Sequence, residues 1–442
     1  MADRQTSDQG PTSDQGSASG AGAEASAHPP LDHRLRRMVG RDPDEAHRTA
    51  TPLELLFDLT FVVAFSQAGA QAAHLLEIGH FAPAIIGFTI AVFAICLGWI
   101  NYSWLASAYD NDDVFFRVAT MVQMMGVLVL ALGLPPMFRS IDEGEHLDNG
   151  VVVAGYVIMR VATVALWLRI ARHDPSRRRT ALAYASVVGA IQVGWVTTIF
   201  INPSLPVMLG IFVVLGTLEL LGPYVIEHRV GATPWHAHHI AERYGLLVII
   251  TLGEVVLGTI LAISAVVEKQ HEWSVDAVLV AFGGTALAFG MWWVYFTMPS
   301  AKVLHRFRER GFVWGYGHLV IFGSIAATGA GLHVAAFEID GTAHIGEVAA
   351  MLTVAVPVGL FLIALFTIYS LLLREFDRFH ILLFVLSVAA LCGSVLAVVA
   401  GASMAVGIVL AACAPVVVIV GYETIGHRHQ ADALRRALDS SH

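Results

Sequence analysis

The sequence predicts an all-α membrane protein that crosses the bilayer twelve times, and three observations support this fold class. Hydrophobic residues make up 56% of the 442 residues and charged residues only 14%, whereas a soluble domain carries about 25% charged residues. Mean hydropathy is +0.67. From Pro52 onward the chain contains twelve apolar segments of about 20 residues, the length that spans a hydrocarbon core of roughly 30 Å.

The twelve segments are joined by short connections, which favour antiparallel helices packed in chain order. The lipid bilayer is therefore the first expected partner. The predicted spans are 53–76, 82–105, 114–133, 150–170, 181–200, 206–226, 240–264, 276–298, 312–336, 348–372, 379–399 and 402–421.

The first 50 residues differ in composition from the rest of the chain. The pentapeptide TSDQG occurs twice, at 6–10 and 12–16, and a Ser/Ala/Gly-rich run follows. Such a composition builds no apolar core, so residues 1–50 are predicted to form a disordered tail. The tail lacks the basic and apolar regions of a signal peptide, and we expect the first span to act as its own insertion signal. Residues 423–442 are predicted as a C-terminal tail.

Lys and Arg residues are concentrated on one side of the predicted topology. They occur in both tails and in the connections near 172–179, 229, 302–310 and 374–378, whereas the opposite side carries only Arg139 and Lys269. Positive residues favour the cytoplasmic side. The sequence therefore predicts a plasma (inner) membrane protein with both termini in the cytoplasm.

This orientation gives a direct test. Single cysteines introduced at Arg177–Arg179 or within Lys302–Arg310 should resist impermeant thiol reagents in intact cells and should react after permeabilisation. A cysteine at Arg139 is the matched control and should react from outside. Labelling of the first two sites in intact cells would reverse the predicted topology.

A duplicated six-helix unit is predicted from matching positions in the two halves, 51–230 and 231–422. Because six is even, both copies would cross the membrane in the same sense, related by an axis along the membrane normal. The matching pairs are Glu54 with Glu242, Trp99–Tyr102 with Trp292–Tyr295, and Gln123 with His318.

The start of the first span carries the most informative polar residues. Thr51 suits an N-cap and Pro52 the first helical position, and Glu54 and Asp58 follow one turn apart on one helix face. Gln67 continues a polar line along this helix. Arg117 falls on the same side of the membrane, and we expect it to pair with Glu54 or Asp58.

Further charges are predicted inside later spans, where each costs roughly 2.5–3.5 kcal/mol at the bilayer centre. Glu242 and Arg243 begin the seventh span, and Glu254 lies 12 residues beyond Glu242, about 18 Å deeper. Glu254 must be protonated, paired with a cation such as Arg160, or exposed to a hydrated cavity. We expect the cavity, formed between the first and seventh spans, because Ser66 and Gln67 reach a similar height on the first span. The alternative for all these groups is an ion-pair network that holds the helices together.

Five motifs together resemble the bacterial low temperature requirement A protein family. They are Pro52–Val62, Asp110–Asp113, His239–Arg243, Leu252–Glu254 and Trp314–His318, the last of which includes the candidate His318. The likeness extends from residue 50 to about 420. It implies a polytopic inner-membrane protein linked by name to growth in the cold, and it brings no established substrate or catalytic residue.

The first motif departs from the family pattern at Leu56, where the family favours an aromatic residue, and at Thr60, where it favours an aliphatic one. Both positions lie beside the two acids and leave them unchanged. Phe57-Asp58 also bears a fainter likeness to the F-S-D motif of lysosomal-type potassium channels built from two six-helix repeats.

These observations favour a secondary transporter or ion-coupled permease with a carboxylate-lined site between the halves; a two-repeat cation channel is the alternative. A membrane enzyme is not expected, because no nucleophile or metal cluster is evident. No cofactor, metal or nucleic acid is predicted, the solute or ion is unspecified, and self-association into a homo-oligomer stays open. The candidate pathway residues are Glu54, Asp58, Gln67, Arg117, Arg160, Glu242, Arg243, Glu254 and His318.

Overall fold

A computed structural model describes residues 35–45, 48–270, 274–374 and 377–439. Throughout these residues the regular structure is helical, apart from an isolated bridge between His146 and Ser204. Twelve of the described helices are long and apolar enough to cross a membrane. The predicted all-α class and the number of spans are therefore confirmed.

The membrane helices are separated by brief connections, as predicted. They are α1 (Pro52–Glu77), α2 (Phe81–Tyr109), α3 (Val114–Glu143), α4 (Gly150–His173), α5 (Arg178–Ile201), α6 (Leu205–Arg229), α7 (Ala237–Gln270), α8 (Val275–Phe296), α10 (Gly311–Asp340), α11 (Glu347–Leu373), α12 (Arg378–Val399) and α13 (Met404–Gly421). Two shorter helices, α9 (Ser300–Arg306) and α14 (His427–Asp439), complete the described structure.

Helix ends follow local capping chemistry. The Asp113 side chain accepts a hydrogen bond from the Phe116 backbone N–H at 2.9 Å at the start of α3, as an N-cap does. The same helix ends at Gly144, whose φ of +81° lies in the left-handed region that glycine adopts without strain. These caps fix where α3 enters and leaves the bundle.

Helix α1 contacts four other helices of the bundle. α1 packs against α2, α3, α7 and α10, and α7 lies along α10. Among the twelve spans α10 is the most enclosed and α6 the least. The seventh helix of the chain therefore meets the first in the interior, which brings Glu54 and Arg243 within reach of each other.

The outside of the bundle is covered by apolar side chains. Phe200 is 83% exposed and Leu132 is 70% exposed. Exposed apolar surface of this kind marks contact with lipid or another protein, and on helices of membrane-spanning length it fits the lipid bilayer.

The segment before α1 packs against the helices, where the sequence predicted disorder. Met38 is fully buried, the Arg41 backbone N–H donates to Ala108 O at 2.9 Å, and Arg48 donates to Ala106 O at 2.8 Å. The prediction of a disordered tail through residue 50 is therefore wrong for 35–45 and 48–50, because tertiary hydrogen bonds hold them. Residues 1–34 lie outside the described residues.

The C-terminal segment also forms structure. After α13 the chain continues into α14, where Gln430 Nε2 donates to Thr297 O at 2.8 Å, so α14 packs against the end of α8. The division into two repeated units, 51–230 and 231–422, stays a prediction from the sequence.

Candidate functional site

Glu54 is positioned by the cap of α1. Its backbone N–H donates to Thr51 Oγ1 at 3.3 Å, and its Oε2 accepts from the Thr51 N–H at 2.8 Å. This capping box satisfies backbone donors at the helix start. It also fixes the Glu54 side chain against the bundle interior, where it is fully buried.

Arg243 of α7 pairs with both acids of α1. Its Nη2 donates to Asp58 Oδ1 at 2.5 Å and its Nε to Asp58 Oδ2 at 3.2 Å, which is the two-pronged geometry that guanidinium and carboxylate groups share. Its Nη1 lies 2.8 Å from Glu54 Oε1 as an ion pair. Arg243 is fully buried, so these contacts form away from solvent.

Two further side chains complete this group. His239 Nε2 lies 3.2 Å from Glu54 Oε2, and Trp99 Nε1 donates to Asp58 Oδ1 at 2.6 Å. We call Glu54, Asp58, Trp99, His239 and Arg243 the α1–α7 ion cluster. Its two carboxylates face one guanidinium, so its net charge is zero when His239 is protonated and −1 when His239 is neutral.

Arg117 does not join this cluster, and the predicted pairing with Glu54 or Asp58 is wrong. Its Nε and Nη2 bind the two carboxylate oxygens of Asp112 at 2.8 and 2.7 Å. The Arg117 side chain is 40% exposed. Asp112 lies only five residues before Arg117 in the chain, and it binds the Arg117 guanidinium group outside the bundle interior.

The connection between α2 and α3 holds two buried acids with opposite behaviour. Burial, followed by the nearby charge of Glu54, raises the pKa of Asp110 to about 7. Burial would also raise the pKa of Asp113, but hydrogen bonds from Arg169 and the Arg36 backbone N–H hold that pKa below its usual range.

Arg160 belongs to a second buried network, and the alternative that it pairs with Glu254 is wrong. Its Nη2 lies 2.7 Å from Glu219 Oε2. Tyr156 also donates to Glu219 Oε2 at 2.7 Å, while Gln192 and Trp195 donate to Oε1. Glu219 is thus satisfied by four side chains from α4 and α5. This network links α4, α5 and α6.

Glu254 is an acid buried inside a membrane span that forms no ion pair with any of the described residues. It is 3% exposed, its Oε1 has no hydrogen-bond partner, and the Ser66 hydroxyl of α1 is its hydrogen-bonding neighbour. Gln67, the next residue of α1, is half-buried. Ser66 and Glu254 thus form a second polar contact between α1 and α7, and the hydrated cavity stays a prediction.

His318 and Glu242 belong neither to the α1–α7 ion cluster nor to the contact between Ser66 and Glu254. His318 donates from Nδ1 to Trp314 O at 2.7 Å and accepts from the Tyr295 hydroxyl at 3.0 Å, so both its ring nitrogens are satisfied. Glu242 is exposed and accepts a hydrogen bond from the Ala50 backbone N–H. It lines a cavity of about 270 Å³ beside α8 and α9.

Several residues of these networks were not among the candidates from the sequence: Trp99, Tyr156, Gln192, Trp195, Glu219 and His239. A signal for His239 was present, since His239 and Arg243 are four residues apart, as Glu54 and Asp58 are. Residues four apart share a helix face, so the two pairs could have been matched. No comparable spacing signals Trp99 or Glu219.

The fold and these contacts define a class: a multi-pass membrane protein whose first and seventh helices are joined by a buried ion cluster. Residues 49–420 match the family described as bacterial low temperature requirement A protein (LtrA). The chain belongs to this family, which confirms the resemblance seen in its motifs. An uncharacterized protein of Rhizobium meliloti (strain 1021) is 27% identical over 292 residues, which cover 63% of this chain and 67% of that protein.

Proposed function

We propose that this protein is an ion-coupled secondary transporter whose path follows the contact between α1 and α7, here called the α1–α7 seam. The observation that carries the proposal is Glu254, a carboxyl group enclosed at 3% exposure without a cation. Ionisable groups inside membrane helices are costly and mark ion or substrate pathways. The α1–α7 ion cluster lies on the same two helices, nearer their starts.

The contrast between Glu254 and the other acids buried within the membrane helices supports a functional role. Glu54 and Asp58 are compensated by Arg243, and Glu219 is compensated by Arg160. An acid that serves only packing gains nothing from lacking such a partner, because a neutral side chain would avoid the desolvation cost. Glu254 therefore fits a group that exchanges its partner during a cycle.

A transporter is favoured over a channel because the seam is tightly packed around the acids. Phe57, Phe61 and Phe65 of α1 are fully buried. The backbone of α10 at Gly329 lies so near Glu254 that a Cβ there would be 2.6 Å from the Glu254 carbonyl oxygen. A closed seam around an ionisable group corresponds to an occluded state, in which solute access requires the helices to move.

Flux measurements on liposomes test this proposal. The reconstituted protein should move protons or alkali cations, reported by an internal pH dye and by ion-selective dyes, and Glu254→Gln should abolish coupled flux without lowering the melting temperature. Arg117→Gln is the control, since Arg117 binds the exposed Asp112, and it should keep the flux. Wild-type flux in Glu254→Gln would contradict the proposal. Unitary currents in planar bilayers would establish the channel instead.

A further inference from the structure

We propose that Glu254 is a proton-binding site: its carboxyl group takes up and releases H⁺ and does not hold a metal cation. This inference rests on the proposed function, because a proton bound at Glu254 needs an opening of the α1–α7 seam to leave. It specifies the coupling ion of that seam.

The surroundings of Glu254 supply too few oxygen ligands for a metal ion. Calcium and magnesium bind six or more oxygens, whereas the neighbour that hydrogen-bonds Glu254 is the single hydroxyl of Ser66. Within the described residues, no group of three or more His, Cys, Asp or Glu side chains is placed to hold a metal ion. A proton needs one oxygen atom.

The backbone near Glu254 does not supply the missing ligands. Sodium sites in transporters use carbonyl groups of unwound helices. Here α1 and α7 each continue as one helix through Ser66 and Glu254, so their carbonyls are engaged in helical hydrogen bonds. On the third side α10 presents Gly329, which allows its backbone to approach Glu254 and leaves little room for a hydrated ion.

The charges that could hold Glu254 ionised are committed elsewhere. Arg243 binds Glu54 and Asp58, and Arg160 binds Glu219. Glu254 is 3% exposed, and its Oε1 has no hydrogen-bond partner. A lone carboxylate in this position carries a desolvation cost of several kcal/mol, which the neutral acid avoids. The closed seam therefore holds Glu254 as a protonated carboxyl group.

His333 of α10 is the other titratable side chain to consider. A Cβ added at Gly258, one turn beyond Glu254 on α7, would lie 3.3 Å from the ring of His333. The Nε2 atom of His333 is buried without a hydrogen-bond partner. The test therefore includes His333→Gln, which separates a proton held at Glu254 from one held at the histidine.

Dicyclohexylcarbodiimide gives the first measurement on the full-length protein in liposomes. This apolar reagent adds a protonated carboxyl group across one of its C=N bonds, and the adduct rearranges to a stable N-acylurea that peptide mass spectrometry locates. Labelling at Glu254 should fall about tenfold for each pH unit above the pKa. At fixed pH, Na⁺, K⁺, Mg²⁺ or Ca²⁺ should not protect it.

Two variants and one internal control sharpen this measurement. Glu219 is also buried, at 7% exposure, but it is paired with Arg160, so it should stay unlabelled in the same digest. Glu254→Gln should remove the label without changing the melting temperature. His333→Gln should keep the label and its pH profile. Protection of Glu254 from labelling by any of these cations would mean that it binds a metal ion. Loss of the pH dependence of labelling in His333→Gln would mean that the proton is held at His333.

Infrared difference spectra after a pH jump give a second measurement that does not depend on reagent access. The carbonyl band of a protonated carboxyl group should appear in the wild type and disappear in Glu254→Gln. Absence of both the label and the band at acidic pH would overturn the inference. A pH-dependent label in a protein that moves no ion would leave the proton site standing while refuting transport.

Discussion

Replacing Arg243 by leucine is expected to destabilise the folded protein by about 3–5 kcal/mol, because it leaves two buried carboxylates without their cation. Glu54, Asp58 and Arg243 are each fully buried, so water cannot replace the lost partner. Thermal unfolding of the detergent-solubilised protein, followed by loss of monodisperse protein on a sizing column, measures the effect. The matched control is Arg117→Leu, which removes an exposed pair and should change stability by less than about 1 kcal/mol.

A triple variant distinguishes the lost pairing from lost packing. Glu54→Gln with Asp58→Asn and Arg243→Met removes every charge of the trio, and glutamine still serves the capping box at position 54. This variant should regain most of the stability, since replacing a buried ion pair by neutral groups is often nearly neutral. If Arg243→Leu alone were as stable as the wild type, the acids would have to be solvated or protonated.

Gly331→Ala is expected to cost about 1–3 kcal/mol through overpacking. A Cβ at this position of α10 would lie closer than 3.0 Å to three backbone atoms of Thr353 and Val354 in α11. Backbone cannot move aside as a flexible side chain can, so α10 and α11 must separate. The better helix propensity of alanine offsets about 0.5–1 kcal/mol.

The control for this substitution is Gly393→Ala in α12, where a Cβ meets nothing within 4 Å. It should leave the melting temperature unchanged or raise it slightly. Equal melting temperatures for Gly331→Ala and Gly393→Ala would mean that the close contact of α10 with α11 does not limit stability.

The sequence predicted the twelve spans because span length and composition are local properties. Pairing partners are not local. Arg117 and Arg243 both lie at the membrane end where Glu54 lies, and depth alone could not choose between them. The choice depends on which helix packs against the buried face of α1, and that is a property of the tertiary arrangement. For the same reason, the similar predicted depths of Arg160 and Glu254 in the membrane suggested a pair. Helix packing instead places Arg160 beside Glu219.

Residues 35–45 and 48–50 illustrate the same limit for a segment without regular structure. Their composition is polar and Gly-containing, which predicts disorder in isolation. Their order comes from acceptors at the ends of other helices, such as Asp113 for the Arg36 N–H and Asp174 for the Gly40 N–H. Composition carries no information about acceptors that lie far along the chain.

The α1–α7 ion cluster has a consequence for how the protein is made. Asp58 and Arg243 are 185 residues apart in the chain, and at about 5–20 residues per second the ribosome adds Arg243 roughly 10–40 s after Asp58. During that interval Glu54 and Asp58 of α1 lack Arg243, so α1 cannot take its final place in the bundle with both carboxylates ionised. The ion pairs of α1 can therefore form only once synthesis has reached α7.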